Sequence, residues 1–262
     1  MESIEAYMES ADKQAHLPGA APFFYEAGDA GCLLIHGWGG SCDSFRYVGP
    51  RLAEAGVTVY CPLLPGHGTS PHDMSRTTAR DWVSAATRHL QLLAGRCRAT
   101  FVAGLSMGGT ITLFLGATQG PLLRGIVPIN GGVSFFYSPS TYLAFQEEGD
   151  TLLPAHGNIP GTKDPSVTPS GYLERPASAS LGVLALAKAT EELLPRITVP
   201  TLILQSIEDQ TMPPRNAFRF YDEIRSTDKR IKWMLNSFHS ATLDYDKEII
   251  VQELLGFIRS HS

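Results

Sequence analysis

Residues 100–109 read TFVAGLSMGG, and this short stretch decides the fold. Its first six residues form an apolar run of strand length, which leads into the pentapeptide GLSMG at residues 104–108. A strand, a tight turn and a helix are the context in which a G-x-S-x-G motif exposes its serine at the end of a parallel sheet. Side chains at Gly104 and Gly108 would collide as the chain reverses. We therefore predict that Ser106 is the nucleophile, and the alternative is a purely structural turn.

The rest of the chain repeats this alternation of strand-length apolar runs with segments of helical period. Such alternation predicts βαβ units around a mostly parallel sheet, with strands buried on both faces. Six strands are predicted, at 32–36, 57–62, 100–105, 125–129, 201–206 and 231–235. Helices are predicted at 45–55, 78–93, 107–118, 181–194, 215–225 and 247–260.

One region, residues 134–176, interrupts the alternation. It is dense in Pro, Gly and Ser and falls between the fourth and fifth predicted strands. We predict one α/β domain over residues 1–262, with a cap insertion at 134–194. A chain of 262 residues is long enough to bury a single large core.

Composition and charge exclude several classes of partner. The formal net charge is −5 and no dense run of Lys or Arg occurs, so nucleic acid is not expected as a partner. None of the four cysteines forms a C-x-x-C pair, which argues against zinc and redox motifs. The first ten residues, MESIEAYMES, lack the pattern of a signal peptide, and no apolar stretch is long enough to span a bilayer. We expect a cytoplasmic protein, monomeric or a small homo-oligomer, with reduced thiols.

A serine hydroxyl needs a general base, and histidine has a suitable pKa. Of the eight histidines, His239 follows the last predicted strand in the loop 236–240 and precedes the final helix. Loops at the carboxyl ends of parallel strands form the site in α/β proteins. The other histidines are interpreted as solvated or structural: His36 at the end of the first strand, His67 and His72 in one loop, His89 on a helix surface, His156 in the insertion, and His16 and His261 near the termini.

The acid that orients the histidine should follow the preceding strand. The strand at 201–206 leads into a turn that contains Asp209, with Glu208 as the alternative. The order Ser106, Asp209, His239 along the chain is the serine, acid, histidine order of hydrolases with an α/β sheet.

A second glycine cluster, HGWGG at residues 36–40, directly follows the first predicted strand. Backbone N–H groups at this place and after the nucleophile can stabilise the oxyanion that forms when a serine attacks a carbonyl. We assign the N–H groups of Trp38 and Met107 to this role. The alternative for residues 36–40 is a flexible turn without catalytic duty.

These motifs resemble those of the small bacterial carboxylesterases and monoacylglycerol-lipase-like esterases of the α/β-hydrolase superfamily. The resemblance rests on residues 104–108, on 22–28 leading into the loop at 36–40, on PGHG at 65–68 and on 237–244 around His239. It implies an α/β-hydrolase fold, with a central, mostly parallel sheet flanked by helices and a small cap. It also implies hydrolysis of short to medium acyl esters, or of monoacylglycerol-like substrates, through an acyl-enzyme, with no metal and no organic cofactor. The chain departs from the family at 149–171, where Pro and Gly replace a charged helix.

The substrate pocket is expected to be apolar. Its candidate walls are Trp38, Met107, Phe135, Phe136, Tyr137, Tyr142 and Met212, each with core packing as the alternative. The same three residues also serve amidases, thioesterases, lactonases, carbon–carbon hydrolases and acyltransferases, and a hydrolase-fold ligand receptor is a further alternative.

Overall fold

The structure, a computed structural model, describes residues 3–14, 16–136, 144, 147–149, 151–154 and 161–262. The described helices are α1 (Ile4–Ala11), α2 (Val48–Glu54), α3 (Pro71–Ser75), α4 (Ala79–Ala94), α5 (Met107–Thr118), α6 (Ala177–Leu193), α7 (Arg215–Glu223) and α8 (Lys247–His261). The described strands are β1 (Phe23–Tyr25), β2 (Ala30–Ile35), β3 (Thr58–Cys61), β4 (Ala99–Leu105), β5 (Gly125–Ile129), β6 (Leu152–Pro154), β7 (Glu174–Pro176), β8 (Thr201–Ser206) and β9 (Lys229–Met234). Tyr137, Tyr142 and His156 lie outside the described residues.

The central sheet has seven strands in the order β1-β3-β2-β4-β5-β8-β9. Every pairing in it is parallel except that of β1 with β3. All six predicted strands are present, within a few residues at their ends. The predicted α/β-hydrolase sheet is therefore confirmed, and the loops after β2, β4, β5, β8 and β9 meet at its carboxyl edge.

Four elements are not among the sequence predictions: the antiparallel edge strand β1, the N-terminal helix α1, the short helix α3, and a hairpin formed by β6 and β7. Strand β1 has only three residues, too few to show an alternating pattern. Ser3 is the N-cap residue of α1, and its side chain accepts a hydrogen bond from the N–H of Ala6. The hairpin and α6 both belong to the predicted insertion.

The sheet separates two hydrophobic cores because successive strand side chains point to opposite faces. In β2, Leu33 and Ile35 face the core shared with α1, α4, α5, α6 and α7, whereas Cys32 and Leu34 face the core shared with α2 and α8. Strands buried on both faces give the continuous apolar runs seen in the sequence. No helix in the described part of the chain is long and apolar enough to cross a membrane.

His89 corrects one prediction. It lies on α4 as predicted, but it is buried rather than on the helix surface. Its Nδ1 is 2.8 Å from the hydroxyl of Tyr60, and its ring packs 4.5 Å from that of Tyr7 on α1. The helix α1 covers this face of α4, so the sequence pattern of α4 alone predicted the wrong exposure for His89.

We expect stability to fall as the pH is lowered from about 7 to 4. Burial lowers the pKa of His36 to about 4 and that of His89 to about 3. Over this range the unfolded chain, with histidine pKa values near 6.5, binds more protons than the folded chain, so acid favours unfolding. The loss is on the order of 3 kcal/mol for each histidine. Denaturant unfolding at several pH values measures it.

The contribution of His89 can be isolated with two variants. His89→Gln should flatten the dependence of the unfolding free energy on pH, whereas His72→Gln, at an exposed position, should leave it unchanged. Equal slopes for both variants and the unsubstituted protein would contradict this assignment.

Candidate active site

Ser106 lies on the turn between β4 and α5, at the carboxyl edge of the sheet. Its φ of 59° and ψ of −119° lie in a strained region for a residue with a side chain. A Cβ atom on Gly104 would overlap the carbonyl oxygen of Gly108, and one on Gly108 would overlap that of Ile35. The predicted tight turn is confirmed, and the two glycines allow the close approach of the backbone.

Gly108→Ala is expected to destabilise the protein by more than about 3 kcal/mol, or to prevent folding. The added methyl group meets rigid backbone rather than a flexible side chain, so the turn itself must move. Gly256→Ala is the matched control because nothing lies within 4 Å of its added methyl group on α8. That change should stabilise the protein by about 0.5–1 kcal/mol. Thermal unfolding compares the two, and a stable Gly108→Ala protein would refute the close approach.

The structure brings the three predicted residues of the site together. The Nε2 atom of His239 lies 2.8 Å from the Oγ of Ser106, and its Nδ1 lies 2.8 Å from Oδ2 of Asp209. The other oxygen of Asp209, Oδ1, accepts hydrogen bonds from the N–H groups of Thr211 and Met212, both at 2.8 Å. All three side chains are at least nine-tenths buried. Glu208, the alternative acid, is instead exposed and paired with Lys163 at 2.6 Å.

Asn130 holds the histidine loop against the end of β8, and the sequence analysis does not identify it. It follows β5, is fully buried and has a φ of 45°. Its Oδ1 accepts from the N–H of Ser206 at 2.7 Å, and its Nδ2 donates to the carbonyl oxygen of His239 at 2.8 Å. The available signal is its residue type, since Asn tolerates left-handed φ better than most side chains.

Asp244 holds the same loop from its other side. Its carboxylate is fully buried and accepts four backbone N–H groups. Oδ1 accepts from Asp164 at 3.0 Å and from Tyr245 at 2.9 Å. Oδ2 accepts from Lys163 at 2.7 Å and from Phe238 at 2.9 Å. The residue therefore ties residues 163–164, in the predicted insertion, to the loop that carries His239.

The glycine-rich loop after β2 lies directly beside Ser106. A Cβ atom on Gly37 would lie 3.1 Å from the Cβ of Ser106. The N–H of Gly40 donates to the carbonyl oxygen of Gly37 at 3.2 Å, which closes a turn around Trp38. Met107 is the first residue of α5, where an N–H group has no acceptor within its own helix. Trp38 and Met107 both border the cavity at Ser106.

His36 fixes the start of this loop, consistent with the structural role expected for it. The N–H of Leu64 donates to its Nε2 at 3.0 Å, so the proton is on Nδ1, which lies 3.0 Å from the carbonyl oxygen of Gly37. Burial lowers the pKa of His36 to about 4, which keeps the ring neutral near pH 7. His67 packs 5.0 Å from it, and burial likewise lowers the pKa of His67 well below its usual value.

A cavity of about 480 Å³ opens beside Ser106 and His239. Five of the seven predicted wall residues border it: Trp38, Met107, Phe135, Phe136 and Met212. The other two, Tyr137 and Tyr142, lie outside the described residues. The insertion contributes walls that are not among the predictions: Leu153, Tyr172, Arg175, Val183 and Leu184. Within the described ranges, no cluster of three His, Cys, Asp or Glu side chains could hold a metal ion.

Comparison with known proteins identifies the family. The alpha/beta hydrolase family matches residues 32–251. A thermostable monoacylglycerol lipase of Bacillus sp. (strain H-257) is 42% identical over 94% of this chain and 97% of the lipase. A carboxylesterase of Bacillus subtilis (strain 168) is 26% identical over 90% of this chain and 95% of the esterase.

Solved structures of lipolytic enzymes are also similar to this chain. A structure described with LipS and LipT, two metagenome-derived lipolytic enzymes, has a TM-score of 0.89 and 39% sequence identity, and covers 94% of this chain and 100% of that one. At lower identity, 21%, the monoacylglycerol lipase of Paleococcus ferrophilus shares the fold with a TM-score of 0.80 over 92% of this chain and 98% of that one. With the sheet, the turn at Ser106 and these matches in place, the chain belongs to the alpha/beta hydrolase family.

Proposed function

We propose that this protein is a serine carboxylic ester hydrolase with the catalytic triad Ser106, His239 and Asp209. The observation that carries the proposal is the continuous pair of 2.8 Å contacts that joins the serine hydroxyl to the carboxylate through His239. Relatives named as a monoacylglycerol lipase and a carboxylesterase support the ester as the substrate class.

Catalysis begins with proton transfer from Ser106 to His239. Asp209 accepts a hydrogen bond from Nδ1–H of His239, so the lone pair of Nε2 faces the Oγ of Ser106. As Oγ attacks the ester carbonyl carbon, Nε2 takes the hydroxyl proton, and the carboxylate stabilises the resulting imidazolium.

The carbonyl oxygen becomes an oxyanion, which the N–H groups of Trp38 and Met107 stabilise. When the tetrahedral intermediate collapses, the carbon–oxygen bond to the alcohol breaks and His239 gives its proton to the leaving alkoxide. Water then repeats the sequence on the acyl-enzyme. It adds to the carbonyl carbon while His239 takes one of its protons. The second tetrahedral intermediate then collapses, the bond from the carbonyl carbon to Oγ of Ser106 breaks, and His239 returns the proton to Oγ, which releases the carboxylic acid and free Ser106.

The cavity supports short to medium acyl chains or a monoacylglycerol-like substrate. Its walls include the apolar side chains of Phe135, Phe136, Met212 and Leu184, which suit an acyl chain, and its volume of about 480 Å³ limits the size of that chain. We assign residues 134–194 to a cap that completes these walls. The cytoplasmic location and the monomeric or small oligomeric state stay predictions.

Hydrolysis of p-nitrophenyl esters from acetate to palmitate, together with monoacylglycerols of the same chain lengths, tests the proposal. We expect turnover with an optimum at short to medium chains, and covalent labelling of Ser106 by a fluorophosphonate, located by peptide mass spectrometry. Absence of turnover on every ester, or labelling of a residue other than Ser106, would refute it.

A further inference from the structure

We propose that Arg175 is a positioning residue for the oxyanion loop at residues 36–40. The inference rests on the proposed ester hydrolysis and goes beyond it, because it links the predicted cap to a catalytic backbone group. Arg175 lies in β7, the second strand of the cap hairpin, and is only 7% exposed. Its guanidinium carbon lies 4.4 Å from the centre of the Trp38 ring.

The burial of Arg175 strengthens this contact. A guanidinium over an indole ring is attracted to it more strongly where water is excluded, and the Trp38 ring at the edge of the cavity is partly buried. The planar guanidinium can also stack on an aromatic face, which an ammonium group does less well. The contact therefore fixes the orientation of the Trp38 side chain.

The side chain of Arg175 packs closely against the backbone of this loop at Gly39. This glycine has a φ of 69°, and a Cβ atom built on it would overlap Nε of the arginine. A side chain at this position would expel the guanidinium from the ring of Trp38. The glycine thus allows both the turn and the approach of the arginine.

The backbone beside Arg175 is joined to the same loop. The N–H of Tyr172 donates to the carbonyl oxygen of Gly39 at 2.8 Å, and a Cβ atom on Gly171 would lie 2.7 Å from that oxygen. The hydroxyl of Tyr172 donates to the carbonyl oxygen of Gly66 at 3.0 Å and accepts from the N–H of Thr69 at 2.9 Å. The segment that carries Arg175 is therefore anchored to two loops of the sheet edge.

Glycines on both sides of Trp38 leave its own peptide groups with wide conformational freedom. A hydrogen-bond donor to an oxyanion must point at the oxygen before the reaction, because it stabilises the transition state most when it does not have to reorient. The hydrogen bonds at Gly37 and Gly39 restrict the loop backbone, and Arg175 adds a further constraint by holding the indole, and through it the direction of the Trp38 N–H. Its effect should appear in the transition state rather than in substrate binding.

A double-mutant cycle tests the inference, with ester hydrolysis by the unsubstituted protein as its reference. Arg175→Met should lower kcat by about 10–100-fold with KM changed less than about 3-fold, because a displacement of about 1 Å in a catalytic group is this costly. In the background of Trp38→Leu, which keeps the N–H but removes the ring, Arg175→Met should lower kcat by less than about 3-fold. Lys188→Met, on the exposed side of α6, is the matched control and should leave kcat unchanged.

Three results would overturn the inference: an unchanged kcat in Arg175→Met, a change confined to KM, or an equal loss with and without the Trp38 ring. If Arg175→Met does not fold, Arg175→Lys takes its place in the same cycle, with the same criterion of coupling to Trp38.

Turnover by the unsubstituted protein separates the role of Arg175 from the proposed ester hydrolysis. A protein that hydrolyses esters but shows no coupling refutes only the role of Arg175, whereas a protein without turnover refutes both.

Discussion

Ser106→Ala is expected to lower kcat on the best ester substrate by about 10⁴–10⁶-fold. The change removes the attacking oxygen and leaves His239 without a proton to take. The residual rate comes from substrate binding and from the N–H groups of Trp38 and Met107, which alanine does not disturb. Initial rates and the loss of fluorophosphonate labelling measure the effect together.

The fold should survive this substitution. Alanine keeps the Cβ atom, so the strain at φ 59° is unchanged, and the serine side chain makes no capping hydrogen bond to α5. A melting temperature within a few degrees of the unsubstituted protein is expected. Ser84→Ala, at an exposed position of α4, is the matched control and should retain full activity. A rate in Ser106→Ala near that of the control would refute the assignment of the nucleophile.

The sheet could be predicted from the sequence because its strands are buried on both faces. Runs such as 101–105 and 125–129 contain no polar side chain, which is typical of strands buried on both faces. The helix α1 was not predicted, although Ile4, Tyr7, Met8 and Ala11 recur at helical spacing after a capping serine. Strand β1 could not be predicted, because a strand of three residues shows no alternating pattern and is defined only by its pairing with β3.

The three residues of the proposed triad could be placed because each follows a predicted strand, and parallel strands bring their carboxyl ends to one edge. Asn130 and Asp244 could not be found in this way. Their contacts span up to 109 residues along the chain, and at Asn130 the only local signal is the residue type. His89 shows the opposite error, where a local pattern suggested exposure and a distant helix removed it.

The lining of the pocket was predicted only in part. Phe135, Phe136 and Met212 border the cavity as predicted, whereas Tyr172 and Arg175 come from a region without a clear sequence pattern. Their positions depend on the loops they contact, above all the turn at Gly39. Loop-to-loop contacts of this kind carry no periodicity, so only the folded structure reveals them.

Asp209→Asn is expected to lower kcat by about 10⁴-fold with little loss of stability. The amide oxygen of asparagine can still accept the N–H groups of Thr211 and Met212, both at 2.8 Å in the unsubstituted protein. Its NH₂ group then faces Nδ1 of His239 and must donate to it. This fixes the imidazole with its proton on Nε2, where it donates to Ser106 instead of taking the serine proton.

The neighbouring acid provides the control that separates charge from geometry. Glu208→Gln removes the same charge one residue away, from an exposed side chain that pairs with Lys163. Since a carboxylate there makes no contact with His239 in the structure, its loss should change kcat by less than about 3-fold, as for exposed charges in general. Measured side by side on one ester, a large loss in Asp209→Asn with none in Glu208→Gln places the acid at Asp209. The reverse result would transfer that role to Glu208 and require the turn at 207–210 to reorganise in solution.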